Sequence, residues 1–153
     1  MPDANANVVM SFHGEFDHGV DSQRRLQIPS DWRPAQEDAR FILLPWAYPA
    51  GICIRVLTAA KLDEMLAEVN AMPNDNPKKV QLKRYIGTTS CAVTLDKNGR
   101  ICIPAGLAAK AGIAGKAKLV SLLDRFELWD PERYVRVAES DMTVAPDANR
   151  YLG

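Results

Sequence analysis

The sequence of 153 residues lacks any apolar run near the roughly 18 residues that a helix needs to cross a bilayer. Its first residues are polar and do not form the basic and then apolar segments of a signal peptide. We therefore expect a cytoplasmic protein that makes no membrane contact.

Residues that ligate metals or form disulfides are scarce. The cysteines Cys53, Cys91 and Cys102 lie in apolar runs without a Cys-x-x-Cys pair, and His13 and His18 have no partners at zinc-ligand spacing. These features favour buried free thiols over a metal site or a disulfide framework. We predict that the protein needs no cofactor.

An excess of charge is also missing, because 19 basic residues balance 19 acidic ones. This balance argues against nucleic-acid binding by the whole surface, but it is compatible with a local basic face. The sequence has no evident Ser/His/Asp or Cys/His set, phosphate-cradling glycine loop or metal-ligand spacing. We predict that the protein is not an enzyme and takes no small-molecule substrate.

An internal repeat is the strongest feature that is present. Residues 20–29 and 95–104 share four identical positions, all separated by 75 residues. The matching pairs are Asp21 and Asp96, Arg25 and Arg100, Ile28 and Ile103, and Pro29 and Pro104. A fixed register over ten residues indicates two copies of one structural unit. We call residues 21–25 tip 1 and residues 96–100 tip 2.

The second copy is typical of a β-hairpin with a charged tip. Asn98 and Gly99 form a strong tight-turn signal between two apolar, β-branched segments, 92–95 and 101–103. The Asp96 carboxylate can accept hydrogen bonds from backbone amides of the turn. Arg100 can either pair locally with Asp96 or present its guanidinium to a partner, and the residues leave both interpretations open. In tip 1, Arg24 stands where tip 2 has Gly99, so it must avoid positive φ or bear strain.

The remaining elements divide the chain into two similar halves. We predict a short helical turn capped by Ser30, strands 41–44 and 52–57 joined by a turn over 45–51, and a helix capped by Thr58. The second half predicts helices over 78–86 and 105–111, strands over 118–123 and 126–129, and a last helix that starts at Pro131. The predicted repeats cover 12–72 and 77–138, and the termini 1–11 and 139–153 are expected to be flexible.

The predicted fold class is α+β. One unit of about 70 residues buries little apolar surface, so two units are expected to share a core around a pseudo-two-fold axis. That arrangement would bring both Asp-x-x-x-Arg tips to one face.

The sequence resembles the MraZ family, which is built from two AbrB-type swapped-hairpin repeats. The residues that carry the resemblance are Phe12, Gly14, Asp21, Arg25, Ile28, Pro29, Arg33 and the segments 95–101, 103–104, 111–113 and 126–130. The resemblance implies a pseudo-two-fold β-barrel with short flanking helices. It also implies a nucleoid-associated bacterial transcriptional regulator that binds direct repeats in the promoter of the division and cell-wall gene cluster, and a ring-like homo-oligomer.

The same resemblance assigns the DNA contact to Arg25 and Arg100. The family's basic residue within the tip falls on Gln23 in the first copy and on Asn98 in the second, so this chain departs from the pattern there. The neighbouring cations complete the predicted DNA-binding set, which is Arg24, Arg25, Lys97 and Arg100. The expected partners are double-stranded DNA and further copies of the chain.

A second class of function stays open. The densest basic cluster of the sequence lies in the helix predicted over 78–86 and comprises Lys78, Lys79, Lys83 and Arg84. A solvated helix face is the simpler interpretation of this cluster. Alternatively, the cluster and the tips could bind protein in an oligomeric interaction module with weakened or lost DNA recognition.

Overall fold

A computed structural model describes residues 10–144 and 147–152, without the side chain of Asn149. Most of the predicted N-terminal flexible segment, 1–11, lies outside the described residues. The elements in chain order are β1 (Glu15–Gly19), β2 (Arg25–Gln27), β3 (Arg40–Tyr48), β4 (Gly51–Thr58), α1 (Ala59–Asn70), α2 (Pro77–Thr89), β5 (Cys91–Thr94), β6 (Arg100–Cys102), α3 (Ala105–Ala111), β7 (Lys116–Ser121), β8 (Phe126–Trp129), α4 (Pro131–Met142) and α5 (Ala148–Leu152).

The strands form two antiparallel sheets, and helices α1 to α4 contact the larger one. The larger sheet has the order β1-β7-β8-β4-β3-β5, and β2 pairs with β6 in a separate two-stranded ribbon. The predicted α+β class is therefore confirmed. The predicted barrel is not closed, because the larger sheet ends at β1 on one side and at β5 on the other.

The two halves of the chain exchange strands. In the larger sheet β1 pairs with β7 and β5 with β3, and in the ribbon β2 pairs with β6. The predicted hairpin of tip 2 is correct for the turn and wrong for the pairing, because β5 and β6 belong to different sheets. Each tip therefore links a strand of the sheet to a strand of the ribbon, and both of these strands pair with the other half.

The core that both halves share is built around Phe126. Its ring centroid lies 5.1 Å from that of Phe12, 4.8 Å from that of Trp32 and 5.5 Å from that of Phe41. All four side chains are buried, and three of them come from the first half of the chain. Neither half could bury these aromatic rings alone, which explains why the repeats fold as one body.

The helix ends mostly agree with the sequence signals. The Thr58 hydroxyl accepts a hydrogen bond from the Lys61 amide at the start of α1, and Gly112 ends α3 with a φ of 67°. Ser30 does not act as a cap: it begins a 3-10 turn whose N-cap is Pro29, and the structure gives no side-chain cap bond there. Because proline fixes its own φ, Pro29 can start this turn without a capping side chain.

Pro45 lies inside β3, where the sequence predicts a turn. Strand β5 pairs with β3 only as far as Leu43, so beyond that point one side of β3 has no strand neighbour among the described residues. The Pro45 carbonyl accepts a hydrogen bond from the Tyr85 hydroxyl of α2 at 3.0 Å, and so points away from β4. The missing N–H of the proline falls on that same side and costs no ladder hydrogen bond. The turn is therefore shorter than predicted and lies at Pro49 and Ala50.

A buried polar cluster lies on the sheet face opposite the aromatic core, and no pattern in the sequence predicts it. Tyr48 donates to Glu127 at 2.7 Å and accepts from Arg55 at 2.7 Å, and Trp129 donates to Glu127 at 3.1 Å. The Arg55 guanidinium also stacks 3.6 Å from the Trp46 ring centroid. Burial, together with the hydrogen bond to Glu127, raises the pKa of Tyr48 to about 12.

The segment 139–153, for which the sequence predicts a flexible tail, contains helical residues. Helix α4 runs to Met142, and α5 covers Ala148–Leu152. Residues 145, 146 and 153 of this tail lie outside the described residues. Among the helices of residues 10–144 and 147–152, none has both the length and the apolar character needed to span a membrane.

Phe126→Ala tests whether the aromatic core joins the halves. Because Phe126 is fully buried among three other aromatic rings, we expect its loss to lower the free energy of unfolding by about 3–5 kcal/mol. Phe16→Ala is the matched control, because this ring is 39% exposed and packs edge-on to Trp32. Denaturant unfolding measures both variants, and equal losses would contradict a core centred on Phe126.

Candidate nucleic-acid interface

The β2–β6 ribbon positions both tips. Leu26 pairs with Ile101 at its centre, and these two residues occupy equivalent positions 75 residues apart. Both side chains are fully buried. Because side chains alternate along a strand, the neighbours of Leu26 and of Ile101 face the opposite, solvent-facing side of the ribbon. A local two-fold axis therefore passes between Leu26 and Ile101.

This register brings the two tip arginines to one face. Arg25 pairs with Cys102, and Arg100 pairs with Gln27. The two arginines are thus diagonal neighbours across an antiparallel pair, a relation that typically separates residues by about 7–8 Å. Both also line one shallow surface depression, together with Asp21 and Gln27.

The Asp21 carboxylate organises tip 1. Its Oδ1 accepts hydrogen bonds from the amides of Gln23 at 2.9 Å and Arg25 at 2.8 Å, and its Oδ2 accepts from Arg25 Nε at 2.6 Å. These bonds, led by the Arg25 amide, lower the pKa of Asp21 below its ordinary value of 3.8. The predicted role of the aspartate as an acceptor for turn amides is realised.

Tip 2 has the same construction. Asp96 Oδ1 accepts from the amides of Asn98 at 2.8 Å and Arg100 at 2.9 Å, and Oδ2 accepts from Arg100 Nε at 3.1 Å. The pKa of Asp96 is lowered in the same way, first by the Arg100 amide. Gly99 closes this turn with a φ of 77°.

The local ion pairs orient the arginines without burying them. The side chain of Arg25 is 38% exposed and that of Arg100 is 27% exposed. Each uses Nε towards its aspartate, so the two terminal nitrogens of each guanidinium remain available as donors. An ion pair this exposed contributes little to stability, and its main effect is to fix the direction of the guanidinium.

The other two predicted cations differ from each other. Lys97 is exposed, and within the described part of the chain its side chain makes no hydrogen bond or ion pair. Arg24 has a φ of 60°, and its Nε donates to the Ile103 carbonyl at 2.9 Å. The Arg24 guanidinium is thus directed at the other half of the protein.

Hydrogen bonds from the ribbon strands hold each tip to the opposite half. In tip 2, the Asn98 carbonyl accepts from the Gln27 side chain at 2.9 Å. In tip 1, the Gln23 carbonyl accepts from the Cys102 thiol at 3.3 Å.

The expectation that all three thiols are buried is wrong for Cys102, which lies on the exposed side of β6, and it holds for Cys53. Cys91 is partly buried.

The basic cluster on α2 is a solvated helix surface. None of the residues of α2 is buried, and Lys78, Lys83 and Arg84 are exposed. Lys79 donates to the Asn74 side chain at 2.7 Å. The simpler interpretation of this cluster thus agrees with the structure.

The architecture defines a class of protein in which two repeats exchange strands and present two Asp-x-x-x-Arg tips on one ribbon. A family model described as "MraZ protein, putative antitoxin-like" matches residues 86–152. The chain is also similar, across most of its length, to proteins named transcriptional regulator MraZ. It is 29% identical to the protein from Roseiflexus sp. (strain RS-1) over 141 residues, which cover 92% of both chains.

Two other relatives show the same extended similarity. The protein from Leuconostoc citreum (strain KM20) is 30% identical over 80% of this chain and 83% of its own length. The protein from Clostridium botulinum (strain Eklund 17B / Type B) is 30% identical over 86% of this chain and 89% of its own length. The chain belongs to the MraZ family.

Acid titration tests the construction of the tips. Because their pKa values are lowered in the folded protein, Asp21 and Asp96 stabilise it above the ordinary aspartate pKa, and this contribution is lost as the pH falls through the lowered values. We expect the carboxyl carbon resonances of both residues to titrate with midpoints below 3.8. In Arg25→Ala the Asp21 midpoint should rise only partway, because the backbone amides remain. Wild-type midpoints at or above 3.8 would contradict the hydrogen bonds described for both tips.

Proposed function

We propose that the protein is a transcriptional regulator that binds double-stranded DNA through its two tips. The observation that supports this proposal is the placement of Arg25 and Arg100 on the same face of the β2–β6 ribbon, each held by its own aspartate. The names of the relatives point to transcription regulation as well. Under this proposal the protein works in the cytoplasm, associated with the nucleoid.

The geometry of the arginines suits DNA. With Nε held by the aspartate, the two terminal nitrogens can donate to phosphate oxygens or to the N7 and O6 acceptors of guanine. Phosphate contacts would position the protein, and a guanidinium that reaches a base edge would specify sequence. Lys97 adds an exposed cation beside Arg100, and Arg24 is exposed as well, with its Nε engaged by the Ile103 carbonyl.

Because the net charge of the chain is zero, DNA binding has to come from a few cations that act together. One chain offers two tips, which supports only weak binding by itself. A ring-like homo-oligomer would place several tips on successive promoter repeats, and later contacts would become intramolecular. We propose this arrangement, on the promoter repeats of the division and cell-wall gene cluster, from the resemblance to the family. The exchange of strands between the halves supports an AbrB-type swapped-hairpin architecture.

Arg25→Ala and Arg100→Ala test the DNA contact. We expect each variant to weaken binding to the promoter repeats and to leave the fold intact, because neither arginine is buried. The slope of the logarithm of the binding constant against the logarithm of salt concentration should become shallower by about 0.9 for each phosphate that the variant no longer neutralises. Gel-shift titrations at several salt concentrations measure both quantities.

Lys83→Ala is the control for the arginine variants, because it removes an exposed cation from α2 and not from a tip. It should bind like the wild type. Unchanged affinity and slope in both arginine variants would contradict DNA binding through the tips.

The oligomer is tested by light scattering and by dilution. We expect a molecular mass that is a multiple of the 16.9 kDa of one chain. We also expect DNA with several repeats to bind far more tightly than DNA with one. A monomer that binds single and multiple repeats equally well would contradict the multivalent arrangement.

An oligomeric protein-interaction module is the second candidate function. Helix α2 exposes Val80, Leu82 and Tyr85 between its cations, a combination that suits a partner with both apolar and acidic groups. A stable oligomer that shifts no promoter DNA, together with a partner that no longer binds a Leu82→Ala variant, would favour this function over the first.

A further inference from the structure

At one equivalent position in each half of the protein, a carbonyl accepts a hydrogen bond from the Nε of an arginine. The Ile28 carbonyl accepts from Arg33 Nε at 2.8 Å, and the Ile103 carbonyl accepts from Arg24 Nε at 2.9 Å. Ile28 and Ile103 are equivalent positions of the repeat, 75 residues apart. The same nitrogen of an arginine therefore binds the same carbonyl in both halves.

The two arginines come from different places. Arg33 belongs to the same repeat as Ile28 and follows its ribbon strand, whereas Arg24 belongs to the tip of the opposite repeat. The position equivalent to Arg33 in the second half is Ala108, which cannot donate. The position equivalent to Arg24 in the second half is Gly99. At the Ile28 site, the arginine follows the ribbon strand and the tip has glycine. At the Ile103 site, the tip has the arginine and an alanine follows the ribbon strand.

Sterics explain why the two positions change together. A Cβ atom on Gly99 would overlap the guanidinium of Arg33, which lies directly against the tip backbone. A side chain at position 99 would therefore displace the Arg33 guanidinium from its place at the Ile28 carbonyl. At the other site, Ala108 carries no guanidinium, and the Ile103 carbonyl accepts from Arg24 instead. Both tips keep positive φ at this position, 77° at Gly99 and 60° at Arg24.

The backbone of Arg24 is strained for a residue with a side chain. Two backbone bonds hold it in place: its amide donates to the Asp21 carbonyl at 2.9 Å, and its carbonyl accepts from the Ile103 amide at 2.9 Å. With the guanidinium bond, Arg24 binds both backbone groups of Ile103. This pair of contacts connects tip 1 to the other half of the protein.

We propose that Arg24 is a positioning residue, which supplies from tip 1 the guanidinium that Ala108 lacks and thereby holds Arg25 in its orientation. This inference deepens the proposed function and rests on it, since the tip that Arg24 holds is the one that presents Arg25. It also gives both tips one equivalent DNA-facing arginine each, Arg25 and Arg100.

The test exchanges the two arrangements. Arg24→Gly removes the guanidinium, and Ala108→Arg alone brings a second guanidinium against the Arg24 side chain, so each should disturb tip 1. The double variant Arg24→Gly/Ala108→Arg copies the arrangement of the other site and should recover. Because Ala108 is buried, the reverse pair is made as well: Gly99→Arg/Arg33→Ala copies the arrangement of tip 1 into tip 2.

The readout is amide hydrogen exchange in the free protein. In Arg24→Gly we expect the Gln23 and Arg25 amides to exchange about tenfold faster, the effect of losing roughly one hydrogen bond that orders the loop. The double variant should return to near the wild-type rate. Lys83→Ala is the control, because it removes an exposed cation of α2, away from both tips, and should leave the exchange of the Gln23 and Arg25 amides unchanged.

Two results would overturn the positioning role: wild-type exchange rates in Arg24→Gly, or failure of both double variants to recover. Wild-type exchange combined with weaker DNA binding in Arg24→Gly would assign Arg24 to the DNA contact instead. The exchange measurements contain no DNA. A wild-type protein that fails to bind promoter DNA would therefore refute the proposed function and leave the test of Arg24 intact.

Discussion

The pairing of Leu26 with Ile101 is the constraint on which the arrangement of the tips depends. These two residues are images of each other in the repeat, so their contact fixes a local two-fold axis between the halves. Both are buried, and a shift of the register by one residue would expose them and bury the tip arginines. Burial of this one hydrophobic pair therefore keeps Arg25 and Arg100 at the surface and close together.

The tips are held by their aspartates, each of which satisfies two backbone amides and one guanidinium nitrogen. Such a loop loses little conformational freedom when it binds, because its arginine is already oriented. Under the proposed function, the neutral net charge of the chain is compatible with DNA binding, because a few oriented cations would make the contact. The same logic extends to Arg24, whose guanidinium ties tip 1 to the Ile103 carbonyl.

Local signals in the sequence predicted local structure well. The Asp-x-x-x-Arg repeat, the Thr58 cap and the Gly112 helix end depend on neighbours in the chain and agree with the structure. Features that depend on contacts between distant parts of the chain were not predictable from such local signals. The Asn98-Gly99 turn fits a simple hairpin as well as a loop between two sheets, and Pro45 is tolerated only because β5 ends its pairing at Leu43. The partner of Arg24 likewise lies 79 residues away.

The most direct measurement of the central claim is a titration of the labelled protein with duplex promoter DNA, followed by amide chemical shifts. If the two tips bind together, the amides of Gln23 and Arg25 in tip 1 and of Asn98 and Arg100 in tip 2 should shift in parallel, with one midpoint. Shifts confined to α2, or to one tip, would contradict an interface formed by both repeats.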